Sequence, residues 1–541
     1  MQKPDTANRS RGWRSTVHRH GLFLACLPLS VYSVLAFVFF VRDHWVPGWD
    51  SAIYLLTARS LAAGTGYTYL GSAFYLRPPG FPWLLSLFVR DGGFNFHLLN
   101  LMIMAFAVAA VWVVFFIFRR RTGTGWALLI ALLMGTSRLY ALNVRWIMAD
   151  FPCLLLLYSG LGLLDPAASG HRREWMLLLA GSLLLAASVY MRTAALVAAP
   201  GIIIVYFLKR RGWGRLAGVL SVLILTVLIA PWLYHAGQEA AMAERPSEQL
   251  MVFDYKTAVF HVNPGDPNSD MVSASMWRSR ILGNVASLVR DGAYWIFGTR
   301  NRWVSYVLAA AVLLGLFVRL GRKVSMLDWF ALLYVGVLLG YFTFARRLLL
   351  PAVPLAFAYI LYALRFATRR AGHGSRWAPV LRGTVAVAAV GLLGLNILAA
   401  TGWSDGTASG QAAENDKMVR MREDQRLIGD WLGKNTTGDA TILAGPAPIL
   451  SLLSGRNVYT YRVRSAQYVL EHRDIDFAVY AWWAPRWGED KVIPRARSKW
   501  TLPSSLPGES ISIYHLSESG LVPDAPAGES LRGRGRRPAG R

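Results

Sequence analysis

Asp50 and Arg77 belong to one loop, in WDSAIYLLTARSLAAGTGYTYLGSAFYLRPPGFPWLLSLF at 49–88, just after the first apolar run of the chain. A carboxylate at an apolar surface can act as a general base, taking the proton of a hydroxyl or amine as it attacks. It must stay ionised at neutral pH, and a nearby cation keeps it so. Arg offers a planar fork that meets phosphate oxygens two at a time. The Pro78-Pro79 step behind Arg77 stiffens the chain that carries it. The plainer readings are an acidic helix cap for Asp50 and a snorkelling interfacial side chain for Arg77.

More charges stand at the ends of apolar runs. Asp150 lies in WIMADFP with Arg145 upstream, Arg192 in VYMRTAAL, and Arg346 and Arg347 open RRLLLPAVPLAFAYI. Charges at such depth tend to face cavities or partners. An arginine cluster there suits an anionic headgroup; snorkelling or an internal ion pair such as Arg145 with Asp150 is the structural alternative. Asp50 and Asp150 could together hold a divalent cation. No HExxH or cysteine cluster accompanies them, and Cys26 and Cys153 are isolated, so no cofactor is expected.

The elements that must carry these residues are membrane spans. The chain has 541 residues, of which 54% are hydrophobic, above the usual share for a soluble domain. Candidate spans are 21–41, 95–118, 126–142, 146–164, 175–191, 192–208, 216–234, 303–318, 326–343, 347–364 and 381–401. Such runs are long enough to cross a hydrocarbon core of roughly 30 Å. The net charge of +26 could suggest nucleic acid. Its excess sits instead in the tails and in short loops, as the positive-inside rule predicts, and no nucleic-acid motif accompanies it. With the N-terminus cytoplasmic, the basic loops at 119–121, 171–173, 209–215, 319–323 and 365–376 all fall inside. A basic tail at 1–20 then precedes a transmembrane domain at 21–401, with outer loops at 42–94 and 235–302. The segment 79–90 is too short to span and reads as a short or re-entrant helix. Residues 403–415 read as a linker into an outer α/β domain at 402–523, in which strand and helix signals alternate from 441. The Pro-, Gly- and Arg-rich tail 524–541 reads as disordered. The expected fold is thus an all-α polytopic membrane bundle of about eleven helices with a small C-terminal α/β domain.

At these residues the sequence resembles the GT-C superfamily of integral membrane glycosyltransferases, in its branch of protein O-mannosyltransferases and lipid A aminoarabinose transferases. The resemblance rests on Asp50 after the first span, Tyr54 four residues on, the turn residues Ala58, Leu61, Gly64 and Gly66, and Arg77-Pro78-Pro79 leading to Trp83. Asp150 with Pro152, Arg192, and RRLLLPAVPL at 346–355 extend it. It implies inverting transfer of a sugar from a polyprenyl-phosphate donor to a lipid, glycan or protein of the envelope. The setting implied is a bacterial inner membrane, with the chemistry at its outer face. Asp50 matches the catalytic acid position. Arg77 matches a donor-phosphate position, as do Arg192, Arg346 and Arg347 less closely; Asp150, Tyr54 and Arg145 match the cavity or acceptor side. Two departures bear on the donor sugar: Ile53 and Tyr54 stand where aminoarabinose transferases carry an Arg, and Arg77 replaces a Lys. A lipid-linked oligosaccharide flippase, or a non-catalytic scaffold of the same fold, would also want outer-face arginines.

Overall fold

The computed structural model describes residues 6–90, 92–165, 174–209, 213–242, 259–262, 269–321, 324–341, 346–370, 391, 393–394, 408–460, 474–483, 492–517 and 529–530. The last candidate span, 381–401, lies almost wholly outside the described residues, as does the tail 524–541 apart from 529–530, which form a short strand rather than disordered chain.

The other candidate spans are helical. They are α1 (Thr6–Phe40), α4 (Phe96–Thr122), α5 (Thr124–Thr136), α7 (Asp150–Leu164), α8 (Glu174–Met191), α9 (Ala198–Lys209), α10 (Trp213–Met242), α12 (Arg302–Leu320), α13 (Met326–Gly340) and α14 (Val353–Arg370). Among the described residues five helical stretches are long and apolar enough to cross a membrane by themselves: Phe23–Phe40, Phe96–Thr122, Arg215–Gln238, Arg302–Leu320 and Arg346–Thr368. The remaining apolar helices are shorter. They pack into one core in which Phe115, Phe151, Tyr158 and Phe357 are fully buried, while residues such as Leu223, Val227, Val307 and Phe317 stay exposed as a lipid-facing surface. This is a membrane protein.

Three expected spans are broken, and the breaks matter. The run 126–142 stops at Ser137, whose extended backbone and hydroxyl cap a separate short helix, α6 (Arg138–Asn143). The run 192–208 begins as a 3-10 turn at Thr193–Val197, with Arg192 extended just before it. The run 347–364 begins as a 3-10 turn at Arg346–Ala352 containing Pro351. Hydrophobicity alone cannot show these breaks, because the flanking residues are as apolar as the helices.

The first loop holds α2 (Trp49–Ala62) and α3 (Gly80–Ser86) with two short hairpins, β1–β2 (Thr68–Tyr69, Ser72–Ala73) and β3–β4 (Val89–Arg90, Gly93–Phe94). The short helix expected near 79–90 is α3, held by Phe81 and Leu85 in the core. The outer loop expected at 235–302 contains α11 (Ala274–Phe297), capped by Ser273. The linker reading of 403–415 needs correction: helix α15 (Ala408–Asn435) already covers its second half, where Ala, Gln and Glu are good helix formers.

Beyond α15 come β5 (Thr441–Leu443), α16 (Ala447–Ser454), β6 (Asn457–Tyr459), β7 (Phe477–Tyr480), β8 (Ser498–Pro503), β9 (Ser510–His515) and β10 (Glu529–Ser530). They form a mixed sheet in the order β10-β8-β9-β7-β5-β6, parallel at β6-β5-β7 and antiparallel elsewhere. α16 packs on α2, and its Ile449 and Leu452 join the core of the bundle. The sheet domain therefore touches the helix that carries Asp50.

Candidate active site

Asp50 sits in the first turn of α2, but it is not the cap: that position is Gly48. Its carboxylate pairs instead with Arg347, far along the chain. The Asp50 side chain is 13% exposed. Burial works to raise its pKa; Arg347, then Arg77, and further out Arg192 outweigh burial and hold the carboxyl below the usual carboxylate range. The first turn of a helix also favours a negative charge. The group is thus an ionised carboxylate at neutral pH, ringed by three arginines drawn from three separate stretches of chain.

Arg77 is buried, 7% exposed. One guanidinium nitrogen donates to the Leu76 carbonyl at 3.1 Å. The backbone at Arg77 is pinned by Tyr67, whose hydroxyl donates to the Arg77 carbonyl at 2.9 Å. Burial, and to a smaller degree Tyr54, push the Tyr67 hydroxyl well above its ordinary range, so it stays a donor. Gly80 completes the placement. A Cβ there would lie 2.6 Å from the Tyr190 carbonyl oxygen, so only glycine lets α3 press on the end of α8. Tyr190 is two residues before Arg192, and this contact brings the Arg77 loop to the Arg192 turn.

Asp150 opens α7 and is buried. Its partner is Arg192. The Arg145–Asp150 pair considered from the sequence does not form, because the break before α9 puts Arg192 on Asp150. Arg145 lies against the Phe40 ring at 5.9 Å, at the end of α1. Arg346 packs over Trp146 at 5.5 Å and Trp295 at 4.6 Å. Tyr54 is buried in the core, edge-on to Phe81 at 5.0 Å. The structure therefore gathers Asp50, Arg77, Asp150, Arg192 and Arg347.

The arrangement can bind a phosphate against arginines and offer a carboxylate to a nucleophile beside it. Each carboxylate is already held by a guanidinium, which a divalent cation would have to displace. Among the described residues no trio of His, Cys, Asp or Glu is placed to hold a metal. Sequence reasoning missed the role of Tyr67 and the Trp146 and Trp295 rings packed on Arg346. Nothing in their spacing marks them. A shallow groove lined by Phe116, Ile117, Arg120 and Gly162 lies between α4 and α7 and touches none of the site residues.

Residues 76–235 match the model of the dolichyl-phosphate-mannose-protein mannosyltransferase family. That stretch contains Arg77, Asp150 and Arg192 but not Asp50. The fold is similar to that of ArnT from Cupriavidus metallidurans bound to undecaprenyl phosphate, with a TM-score of 0.56 and 13% identity over 92% of this chain and 98% of that one. It is equally similar to the oligosaccharyltransferase AglB from Archaeoglobus fulgidus in complex with an inhibitory peptide and a dolichol-phosphate. There the TM-score is 0.56 and the identity 13%, over 94% of this chain and 75% of that one. By sequence, no curated protein matches the chain. The chain has the fold of the GT-C membrane glycosyltransferases, with the mannosyltransferase sequence pattern carried by residues 76–235.

Proposed function

We propose that this protein transfers a sugar from a polyprenyl-phosphate-linked donor to an envelope acceptor, lipid, glycan or protein, at the outer face of a bacterial inner membrane. The observation that carries the reading is the convergence of Arg347, Arg77 and Arg192 on the single carboxylate of Asp50.

The donor phosphate enters among the arginines and draws them partly off the carboxylates, which exposes Asp50 to the acceptor. The acceptor oxygen or nitrogen bonds to the anomeric carbon from the face opposite the phosphate. Asp50 takes its proton. The bond from that carbon to the phosphate oxygen breaks with its electron pair, and configuration inverts. Charge grows on the leaving phosphate, where fixed guanidiniums stabilise it without rearranging. No metal is needed for this sequence. The N-terminus is cytoplasmic in this reading, and the sheet domain lies outside, beside the acceptor.

The test is reconstitution with labelled polyprenyl-phosphate sugars, comparing wild type with Asp50→Asn. Release of polyprenyl phosphate by wild type and its loss in the variant are expected. Transbilayer movement of the donor with the sugar still attached would point to a flippase instead. An equally active Asn variant would remove Asp50 from its role. A reporter fused near residue 430 should register the outer side; a cytoplasmic signal would sink the placement of the site.

A further inference from the structure

A second group of arginines gathers where the sheet domain meets the bundle. Arg42 follows the end of α1, Arg145 stands in the turn before α7, and Arg422 and Arg426 lie one turn apart on α15. Arg145 and Arg422 are close enough to feel each other and Arg42, and Arg422 also feels Arg426. Arg42, Arg145 and Arg422 are half-buried. Among the described residues none of the four forms an ion pair. The Nε atoms of Arg145 and Arg422 are buried without a hydrogen-bond partner. On the next turn of α15 the Gln425 amide is fully buried, and neither its oxygen nor its nitrogen has a partner.

Such a group is costly as it stands. Like charges repel, more so where water is scarce. Burial, with the neighbouring cations adding to it, depresses both the Arg145 and the Arg422 guanidiniums. An anion would offset the repulsion among these cations and occupy the idle donors. The site-end ion pairs do not reach here: Asp150 is taken by Arg192 and Asp50 by Arg347.

We propose that Arg42, Arg145 and Arg422 form a binding site for a phosphate group, separate from the Asp50 site, that latches α15 of the sheet domain to the ends of α1 and α7. Guanidinium forks from three elements suit a tetrahedral oxyanion better than a planar one-sided partner. Arg42 ends the first span, so the phosphate sits at the level of lipid headgroups. Its source is either an anionic phospholipid or free phosphate. The proposal does not depend on the transfer reaction, since binding is read without turnover.

The test uses the full-length protein in detergent, with bound lipid followed by native mass spectrometry and stability by thermal unfolding. Three probes are added separately: phosphatidylglycerol, phosphatidylethanolamine and inorganic phosphate. Wild type should hold phosphatidylglycerol more tightly than phosphatidylethanolamine by about tenfold or more, the worth of one charge-assisted hydrogen bond. The double variant Arg145→Gln/Arg422→Gln should lose that preference, and Arg145→Lys/Arg422→Lys should keep part of it. Stabilisation of wild type but not the Gln variant by inorganic phosphate alone, with no lipid preference, assigns the site to a free oxyanion. Should the double Gln variant fail to fold, Arg42→Gln carries the same comparison. The proposal is overturned if wild type shows neither lipid preference nor phosphate stabilisation, or if the folded Gln variants match wild type in both.

Discussion

Arginine–aspartate pairs clasp the bundle at both ends, and the two ends use them differently. At the end where α4, α7, α12 and α14 finish, Arg121 meets Asp165 and Arg319 meets Asp328. Asp328 is fully subscribed: it accepts from the Ser325 backbone N–H at 2.8 Å, the Ser325 hydroxyl at 2.7 Å, Arg319 at 3.1 Å and the Tyr359 hydroxyl at 3.1 Å. Arg121 adds a bond to Ser325 at 2.8 Å, and Arg365 donates to the Thr122 carbonyl at 2.9 Å. At the opposite end three arginines converge on Asp50, and one of them also holds Asp150. The first end matches each acid to its own partners and sets it at a helix terminus, Asp165 at the close of α7 and Asp328 in the capping box that opens α13. The second concentrates cations on a carboxylate that no helix needs as a cap. One pattern closes a structure; the other is poised for an incoming anion.

Removing the acid at each end should separate these roles. Asp50→Asn keeps the shape and removes the proposed base, so turnover should fall by about 10²–10⁴-fold, the usual share of general base catalysis. Stability should fall less than at the other end, since Arg347 is 28% exposed and water can take over part of the role of its lost counter-charge. Asp328→Asn should do the reverse. It leaves Arg319 without its buried counter-charge, and stability should drop by about 3 kcal/mol, while protein that remains folded keeps its rate per molecule. Unfolding curves and single-turnover rates on the two variants settle the comparison. Equal loss of rate in both would erase the distinction between the ends.

How much of this could be read from the sequence differs between the same two ends. The basic end was legible as loops, because the positive-inside pattern needs only composition. Asp50 and Arg77 were legible as candidates because an acid and an arginine share one loop between apolar runs, although a helix cap and a snorkelling side chain were open to them as well. Their partners were harder. Arg192 and Arg347 were visible as charges at span ends, yet their pairing with Asp150 and Asp50 depends on 3-10 breaks at Thr193–Val197 and Arg346–Ala352. Those breaks are set by tertiary packing and leave no mark in hydropathy. The docking of α16 on α2 was invisible for the same reason: Ile449 and Leu452 look like core residues of the sheet domain, and only the fold shows that they bury against the bundle.

Gly80 offers a smaller perturbation that belongs to the site end alone. Gly80→Ala places a methyl against the Tyr190 backbone, which cannot yield as a side chain could. Overpacking of this kind costs about 1–3 kcal/mol. The methyl should push the Arg77 loop off the Arg192 turn, so the apparent affinity for the polyprenyl-phosphate donor should weaken along with stability. Donor titration against the variant reads this. Unchanged donor affinity in a destabilised protein would mean that α3 only packs and does not position Arg77.

The finest contrast is one of proton affinity. Burial alone would raise the Asp50 carboxyl, and Arg347 is the strongest of the cations that reverse it. Since the folded pKa is depressed, the Asp50–Arg347 pair stabilises the protein above the unfolded carboxylate value. That contribution is lost as pH falls through the lower folded value. The rate should follow the same group: wild type should hold its plateau down to the acid side of about pH 4, the ordinary carboxylate pKa. Arg347→Gln leaves burial opposed only by Arg77 and Arg192, so the acid limb should move to higher pH. The comparison is made on each protein's own plateau, which separates this shift from any loss of donor binding. At the other end, Arg319→Gln should lower stability and leave the acid limb where it was, because Asp328 is not in the reaction. If the limb stays put in Arg347→Gln, or moves equally in Arg319→Gln, then Asp50 is not the group whose ionisation the reaction reads, and the two ends differ in packing alone.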